Sequence, residues 1–283
     1  MGGRALPPRR TSRPRRRRVR RLAAHPCRPP RGPAREAAGL HRAATPGRPP
    51  VNPGAVSLPT RWALVSALSA ALFGLLALLV TARHGTPWAL DRSLYLWSVR
   101  HRPPVLLAVA RAITATGTGP VPYLCAVTAG LVVGVGVGRG AWGRLSPVAG
   151  ALGFLLLVQG MRYAVLFAVS RPRPPAGGWA THAHGFAFPS GHTSTSATAA
   201  GLLAWALWRT ATPAAARAGW CVLACWAVAV GLTRGYLGVH WPSDVLGGWL
   251  YALTWLAAAT AWAARTYRTD RPAPPGPRSS TVP

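Results

Sequence analysis

The feature that most constrains this chain is a series of apolar blocks separated by short segments that contain arginine and proline. Half of the 283 residues are hydrophobic. A helix needs roughly 20 mostly apolar residues to cross a bilayer, and helices satisfy their own backbone hydrogen bonds there. Six blocks approach this length, near 62–82, 120–138, 147–169, 192–208, 218–236 and 243–264. The sequence therefore predicts an all-α fold, a bundle of six transmembrane helices.

The blocks divide the chain into four predicted parts. These are a disordered tail rich in arginine and proline at 1–60, the first membrane helices with an interfacial segment at 61–144, a core at 145–264, and a second disordered tail at 265–283. Charged residues alternate with large apolar residues between 83 and 104, which is typical of an amphipathic stretch at the membrane surface. A short helix is expected near 104–115, before the second span.

The charge of the chain is concentrated in its first tail. All 33 basic residues are arginine, against four acidic residues, and 15 of the arginines lie in residues 1–50. Such a composition is typical of disorder. No aromatic residue that could stack on bases precedes Trp62, so we expect contact with anionic lipid and no binding of nucleic acid.

The distribution of arginine also predicts how the chain is oriented. Arginine-rich segments remain in the cytoplasm, and six spans return the chain to the side on which it started. We therefore predict a multi-pass protein of the cell membrane with both termini in the cytoplasm. In this topology the loop at 170–191, the start of the fourth span and the junction at 234–244 meet on the outer face.

The residues that meet there suit the binding of a phosphoryl group. Arg173 and Arg234 offer forked donors that match phosphate oxygens. Ser190 and Gly191 directly precede a predicted helix, and the free N–H groups at a helix N-terminus attract anions. Glycine also lets the backbone approach a ligand closely.

Two histidines and one carboxylate complete this group. His192 and His240 are able to divide the chemistry, one attacking phosphorus and the other donating a proton to the leaving oxygen. Pro242 suits the first position of a helix, which puts Asp244 in the first turn, within reach of His240. A carboxylate on one ring nitrogen fixes the tautomer and leaves the other nitrogen free to attack.

These residues resemble the signature blocks of the type-2 phosphatidic-acid phosphatase superfamily, which also includes the vanadium-dependent haloperoxidases. The second block, Pro-Ser-Gly-His, is complete at 189–192, and the third runs from Thr233-Arg234 through His240 to Asp244, with threonine in place of serine. In the first block Arg173-Pro174 fits, but Leu166 stands where the family has lysine. Arg162 lies one helical turn before Leu166 and is a candidate for the missing cation.

The resemblance covers about residues 145–262 and implies a six-helix membrane enzyme of the lipid phosphatase type. It further implies a phosphohistidine on His240, with His192 as general acid and Asp244 as the group that orients His240. Phosphate would be bound by Arg173, Ser190, Gly191 and Arg234, with Arg162 as an additional candidate. No metal and no other cofactor is expected.

The expected activity is hydrolysis of a lipid phosphate or pyrophosphate on the extracytoplasmic face. Two alternatives remain open at this point. One is a vanadate-dependent haloperoxidase-like enzyme, and the other is a catalytically inactive scaffold or transporter with the same fold. The identity of the lipid and the oligomeric state do not follow from the sequence.

Overall fold

A computed structural model describes Gly2, residues 57–137 and residues 140–269 of the chain. Over these ranges the chain forms eight α-helices and one short 3₁₀ helix, Ala176–Gly178. The α-helices are α1 (Leu58–Ala82), α2 (Ala89–Arg100), α3 (Pro104–Ala115), α4 (Pro120–Val137), α5 (Ala141–Val169), α6 (Gly191–Thr210), α7 (Pro213–Tyr236) and α8 (Pro242–Thr269). The predicted all-α class is confirmed.

The number of membrane-crossing helices differs from the predicted six. Among the described residues, four helices are long and apolar enough to span a bilayer, namely α1, α5, α7 and α8. Helices α3 and α4 qualify together as a fifth, broken span with a bend of 48° between them. The predicted fourth span, 192–208, corresponds to α6, which does not reach this level of hydropathy. These helices make the chain a multi-pass membrane protein.

Helix α6 is polar because its first two turns are rich in hydroxyl residues. Ser194, Ser196 and Thr198 are buried, and each donates its hydroxyl to a backbone carbonyl of its own helix at 2.8–3.2 Å. These bonds satisfy the hydroxyls without water. Neighbouring helices α4, α5, α7 and α8 all contact α6. A helix covered by protein does not need an apolar surface, which explains the low hydropathy of α6.

Small residues allow the helices to pack closely. A Cβ atom at Gly130 or Gly134 of α4 would meet the backbone of Val148 or Arg144 in α5. Helix α1 lies against α8, where the Ser66 hydroxyl donates to the Thr254 carbonyl over 2.9 Å. These contacts fix the scaffold that carries the polar end of the bundle.

Several predicted boundaries shift. Helix α1 begins at Leu58, α5 begins at Ala141 within the predicted loop 139–146, and α8 continues to Thr269, beyond 264. The rest of the predicted disordered tails, up to residue 56 apart from Gly2 and from 270 onward, lies outside the described residues. Between 83 and 104 the chain forms α2, which contacts α7 and α8 and buries Asp91. One face of this segment therefore packs against other helices, whereas the sequence predicts an amphipathic stretch at the membrane surface.

Candidate active site

The polar residues predicted from the sequence meet at one end of the helix bundle. At this end α5 and α7 finish and α6 and α8 begin. His192 lies in the first turn of α6, and His240 lies in the short connection between α7 and α8. The charges of Arg234, Arg173 and Arg162 act on His192, and His240 lies close enough to interact with it as well. The structure thus brings the two histidines and three arginines into one site.

The His240 ring lies between a cation and a carboxylate. It is 2% exposed, and its Nε2 atom lies 2.9 Å from Nη1 of Arg173. A guanidinium group is only a donor, so Nε2 is the unprotonated, accepting nitrogen. The other ring nitrogen, Nδ1, lies 3.5 Å from Oδ2 of Asp244. Nδ1 has no hydrogen-bond partner in the structure, so Asp244 lies beside the ring without being bonded to it.

Burial lowers the pKa of His240 well below its usual value, and the charges of Arg173 and Arg234 lower it further. The Ala187 backbone acts in the opposite direction but does not outweigh them. The imidazole is therefore neutral at physiological pH. A neutral imidazole keeps the lone pair on Nε2 that a nucleophile needs.

Asp244 is fully buried and held by two further groups. Its Oδ1 atom accepts from Nη1 of Arg171 at 2.6 Å, and its Oδ2 atom accepts from the Trp241 backbone N–H at 2.8 Å. Both carboxylate oxygens thus have fixed partners. These two bonds fix the orientation of the carboxylate independently of the histidine ring.

Arg173 lies in the loop after α5 and is partly exposed. It donates to the carbonyls of Val239, His184 and Gly185 at 2.8–3.0 Å, in addition to His240. Burial lowers its pKa; Asp244 opposes this effect, and Arg162 adds to it. Three carbonyl contacts hold the guanidinium at the open side of the site, where an incoming anion would meet it.

The predicted role of the Ser190 backbone is wrong. Its N–H group donates to the Asp244 carbonyl over 3.1 Å, so it ties α6 to α8 and does not point toward an anion. Ser194 makes the first intrahelical bond of α6, to the Ser190 carbonyl at 3.0 Å. The N–H groups of Gly191 and His192 precede this bond and remain available to an anion.

The Ser190 side chain is also fixed. Its Oγ atom accepts from the Thr193 hydroxyl at 3.0 Å. Its own hydroxyl hydrogen is thereby left for another acceptor. The side chain, rather than the backbone, is the part of Ser190 that suits phosphate.

Arg162 and Arg234 are buried cations, 6% and 2% exposed. In both guanidinium groups Nε has no hydrogen-bond partner. Arg234 donates from Nη1 to the Thr114 hydroxyl at 3.1 Å, and Arg162 stacks on the Tyr163 ring at 4.2 Å. A Cβ atom at Gly191 would lie 3.3 Å from Cζ of Arg162, so this guanidinium lies at the N-terminus of α6.

Four residues of the site escaped prediction from the sequence. Arg171 and Asp91 are buried and paired at 2.9 Å, and Ser243 bonds to both of them. Thr118 lies 3.2 Å from Nε2 of His192. The repeated Arg-Pro at 171–174 and the rarity of acidic residues are signals that point to Arg171 and Asp91. Nothing in the sequence marks Thr118 or Ser243.

The described part of the chain contains no group of three or more His, Cys, Asp or Glu side chains arranged to hold a metal ion. What the site does offer is several fixed cationic and N–H donors around one neutral imidazole. Such a set is suited to a tetrahedral anion.

Comparisons with known proteins point to one family. Residues 148–268 match the model of the PAP2 superfamily. Phosphatidylglycerophosphatase B from Escherichia coli (strain K12) and its counterpart from Shigella flexneri are each 42% identical to this chain over 84 residues. That segment is 29% of this chain and spans only 30% of the length of these curated relatives.

A solved structure shares the fold. It is described as the first transmembrane PAP2 type phosphatidylglycerolphosphate phosphatase from Bacillus subtilis, and it matches with a TM-score of 0.56 and 24% identity. The match covers 71% of this chain and 96% of that one. The resemblance predicted from the signature blocks is confirmed, because the match to the PAP2 superfamily model over residues 148–268 has limits close to the predicted 145–262.

Proposed function

We propose that this chain is an integral membrane phosphatase that hydrolyses a lipid phosphate or pyrophosphate through a phosphohistidine on His240. The observation that carries the proposal is an excess of fixed positive charge around a neutral imidazole. Among the described residues, the charges of Arg173, Arg234 and Arg162 act on His240, and Arg171 lies between two carboxylates, Asp91 and Asp244. Both carboxylates are paired with Arg171, so three arginines remain for an anion.

Burying the charges of these arginines costs free energy unless an anion binds to them. A buried cation without a counter-ion loses much of its hydration energy. The Nε atoms of Arg162 and Arg234 are buried without hydrogen bonds, and both guanidinium groups act electrostatically on His192. A phosphate dianion would supply the missing charge and acceptors. We therefore assign these residues to phosphate binding.

In the first step the Nε2 atom of His240 attacks phosphorus. The N–P bond forms as the bond from phosphorus to the leaving oxygen breaks, and His192, in the imidazolium form that a bound phosphate dianion favours, donates a proton to that oxygen and becomes neutral. Arg173 transfers its hydrogen bond from Nε2 to a phosphoryl oxygen, which frees the lone pair. Asp244 stabilises the positive charge that develops on the imidazole.

In the second step water attacks the phosphorus of the phosphohistidine. His192 accepts a proton from the water, the N–P bond breaks, and inorganic phosphate leaves. His240 regains its neutral form. The arginines and the N–H groups of Gly191 and His192 stabilise the oxygens in both transition states.

An apolar cavity beside the site favours a lipid as substrate. Its volume is about 600 Å³, and it lies between α2, α3, α7 and α8. Thr233 and Val245, which line it, directly adjoin Arg234 and Asp244. Apolar residues make up most of the remaining wall, among them Leu94, Trp97, Leu106, Ile113, Leu232 and Trp249. A hydrocarbon chain held there would place its phosphate at His240.

The absence of the first-block lysine does not argue for an inactive scaffold. Leu166 is apolar and buried, while Arg162 carries its guanidinium to Gly191 at the N-terminus of α6. We propose that Arg162 supplies the cation that the family pattern places at position 166. Arginine suits this role because its fork can contact two phosphoryl oxygens.

We also propose that the site faces the extracytoplasmic side, with both termini in the cytoplasm. The arginine-rich first tail supports this orientation, because arginine-rich segments remain in the cytoplasm. A water-soluble phosphate ester added to sealed, right-side-out vesicles tests this orientation. Hydrolysis without opening the vesicles is expected, and hydrolysis only after detergent is added would reverse the assignment.

The function is tested with the purified protein and a panel of lipid phosphates. Phosphatidylglycerol phosphate, on which the names of the similar proteins are based, is the first substrate to try, followed by phosphatidate and polyprenyl pyrophosphates. Release of inorganic phosphate by the wild type, and its loss in His240→Ala with membrane insertion intact, is the expected result. Equal release by both proteins would remove the assignment of His240.

A further inference from the structure

Arg171 is a fully buried arginine in the loop after α5. It connects Asp244 of α8 to α2 and to the turn after α1. Its Nη1 atom bonds to Oδ1 of Asp244 at 2.6 Å, and its Nη2 atom bonds to Oδ2 of Asp91 at 2.9 Å. Its Nε atom donates to the Gly85 carbonyl at 3.3 Å. The guanidinium is 0% exposed and is paired with two carboxylates, so Arg171 is not placed to reach a substrate.

Asp91 also accepts several hydrogen bonds. Besides Arg171, it accepts from the Ser243 backbone N–H at 3.0 Å and from the Ser243 hydroxyl at 2.6 Å. Ser243 directly precedes Asp244 in the first turn of α8. Asp91 thus acts on Asp244 by two routes, through the guanidinium and through the α8 backbone.

From this geometry we infer that Asp91 and Arg171 are positioning residues, which hold the Asp244 carboxylate in the orientation that directs His240. The inference rests on the proposed function of His240 as nucleophile. It assigns a role in that site to α2, which lies outside residues 148–268 that match the family model. Asp91 touches neither histidine in the site, so its effect is indirect.

The charge of Asp91 explains why the network needs it. With Asp91 absent, Arg171 would have Asp244 as its one carboxylate partner among the described residues. The stronger attraction would draw the Asp244 carboxylate toward Arg171 and away from Nδ1 of His240, which already lies 3.5 Å from it. The imidazole would then lose the group that stabilises its developing positive charge. We expect a slower chemical step and an unchanged affinity for lipid.

The test compares Asp91→Asn with Ser93→Ala in the full-length protein. Asparagine keeps the shape of the side chain and removes the charge. Ser93 lies on the same helix but is exposed, and its hydroxyl bonds to the Leu90 carbonyl. We expect kcat to fall between about tenfold and about a hundredfold in Asp91→Asn, with KM nearly constant. Ser93→Ala should match the wild type.

The pH profile separates positioning from a loss of stability. Removing a negative charge from the network lowers the pKa of His240 further, so the acidic limb of kcat/KM should move to lower pH in Asp91→Asn. If the substitution only reduced the fraction of folded protein, activity would fall by the same factor at every pH. An unshifted limb would overturn the inference.

A double-mutant cycle with Asp244→Asn supplies the second criterion. If Asp91 acts through Asp244, the double variant should be no slower than Asp244→Asn alone. Multiplied losses would show that Asp91 acts by another route, and would overturn the inference. Should Asp91→Asn fail to fold, the same cycle with Ser243→Ala decides the question, because that uncharged change removes a hydroxyl bonded to both Asp91 and Arg171.

The outcomes distinguish this inference from the proposed function. If the wild type and His240→Ala release phosphate equally, the proposed function has failed. If His240→Ala is inactive while Asp91→Asn matches the wild type, the proposed function stands and the positioning role is wrong.

Discussion

Arg173 donates a hydrogen bond from Nη1 to Nε2 of His240 over 2.9 Å. This bond sets the tautomer of the ring, because a guanidinium cannot accept a hydrogen bond. The ring proton is therefore on Nδ1, on the side of Asp244. The bond also holds the ring and the Arg173 guanidinium together, so the proposed nucleophilic atom and the proposed phosphate ligand share one location.

The first prediction concerns the pH dependence. The reactive form of His240 is the neutral one, so acid should inactivate the enzyme as the ring gains a proton. Burial and the arginines lower the pKa of His240, so activity should persist below the ordinary histidine value of about 6.5. Arg173→Gln removes one of these charges, so the acidic limb of kcat/KM should move to higher pH, in addition to an overall loss of rate.

The matched control for this experiment is Arg92→Gln. Arg92 is exposed on α2, so the variant loses the same charge at a distance from His240. Its acidic limb should coincide with that of the wild type. If Arg173→Gln shows no shift, or shifts toward lower pH, Arg173 does not set the protonation of His240.

The second prediction concerns Arg162. Its guanidinium lies at the N-terminus of α6, where Gly191 and His192 present their N–H groups. Arg162→Ala should lower kcat/KM by about a hundredfold, because one of the charges that stabilise the transition state is lost. Arg162→Lys should recover part of this loss. Steady-state release of phosphate measures both variants.

Arg217→Ala provides the comparison, since Arg217 is exposed near the beginning of α7, at the opposite end of that helix from Arg234. It should retain wild-type rates. Near-normal turnover in Arg162→Ala would show that Arg162 does not replace the missing lysine.

The third prediction concerns His192 as general acid. His192→Gln should slow hydrolysis of an alkyl phosphate by about 10² to 10⁴-fold. The loss should be much smaller with p-nitrophenyl phosphate, whose leaving group departs without a proton. An equal loss for both substrates would assign His192 to phosphate binding instead.

The fourth prediction concerns the apolar cavity. Ala229 lines it, and Ala229→Phe should occupy part of its volume. Hydrolysis of long-chain lipid phosphates should fall by about tenfold or more, while a short, water-soluble phosphate ester should be hydrolysed as before. Val222→Phe, on the lipid-facing surface of the same helix, should leave both rates unchanged. Equal losses for both substrates in Ala229→Phe would exclude the cavity as the lipid site.

Much of the site could be predicted because its residues are close in sequence or lie at helix ends. His240 and Asp244 are four residues apart, and Pro242 between them fixes where α8 starts. The order of the signature blocks then brought His192 and Arg234 into the same prediction. Hydropathy locates the long spans for a similar reason, because a helix that faces lipid must be apolar along its own sequence.

The parts that could not be predicted depend on contacts between distant segments. Asp91 and Arg171 are bonded although they lie 80 residues apart in the sequence, and no local pattern predicts that α2 packs beside α8. Contacts between distant segments also explain the low hydropathy of α6, because neighbouring helices cover it and it does not need to be apolar. The sequence places Ser190 directly before α6, as in the structure, but its backbone partner, the Asp244 carbonyl, depends on how α6 meets α8.

The most direct test of the account is to trap the phosphorylated enzyme. The wild type and His240→Gln are mixed with a lipid phosphate labelled with ³²P on its terminal phosphoryl group, and the reaction is quenched within the first turnover in alkali. The account predicts label on the wild type that survives alkali and is released by acid, as expected of phosphohistidine, and no label on His240→Gln. An active wild type that carries no label, or equal label on both proteins, would contradict it.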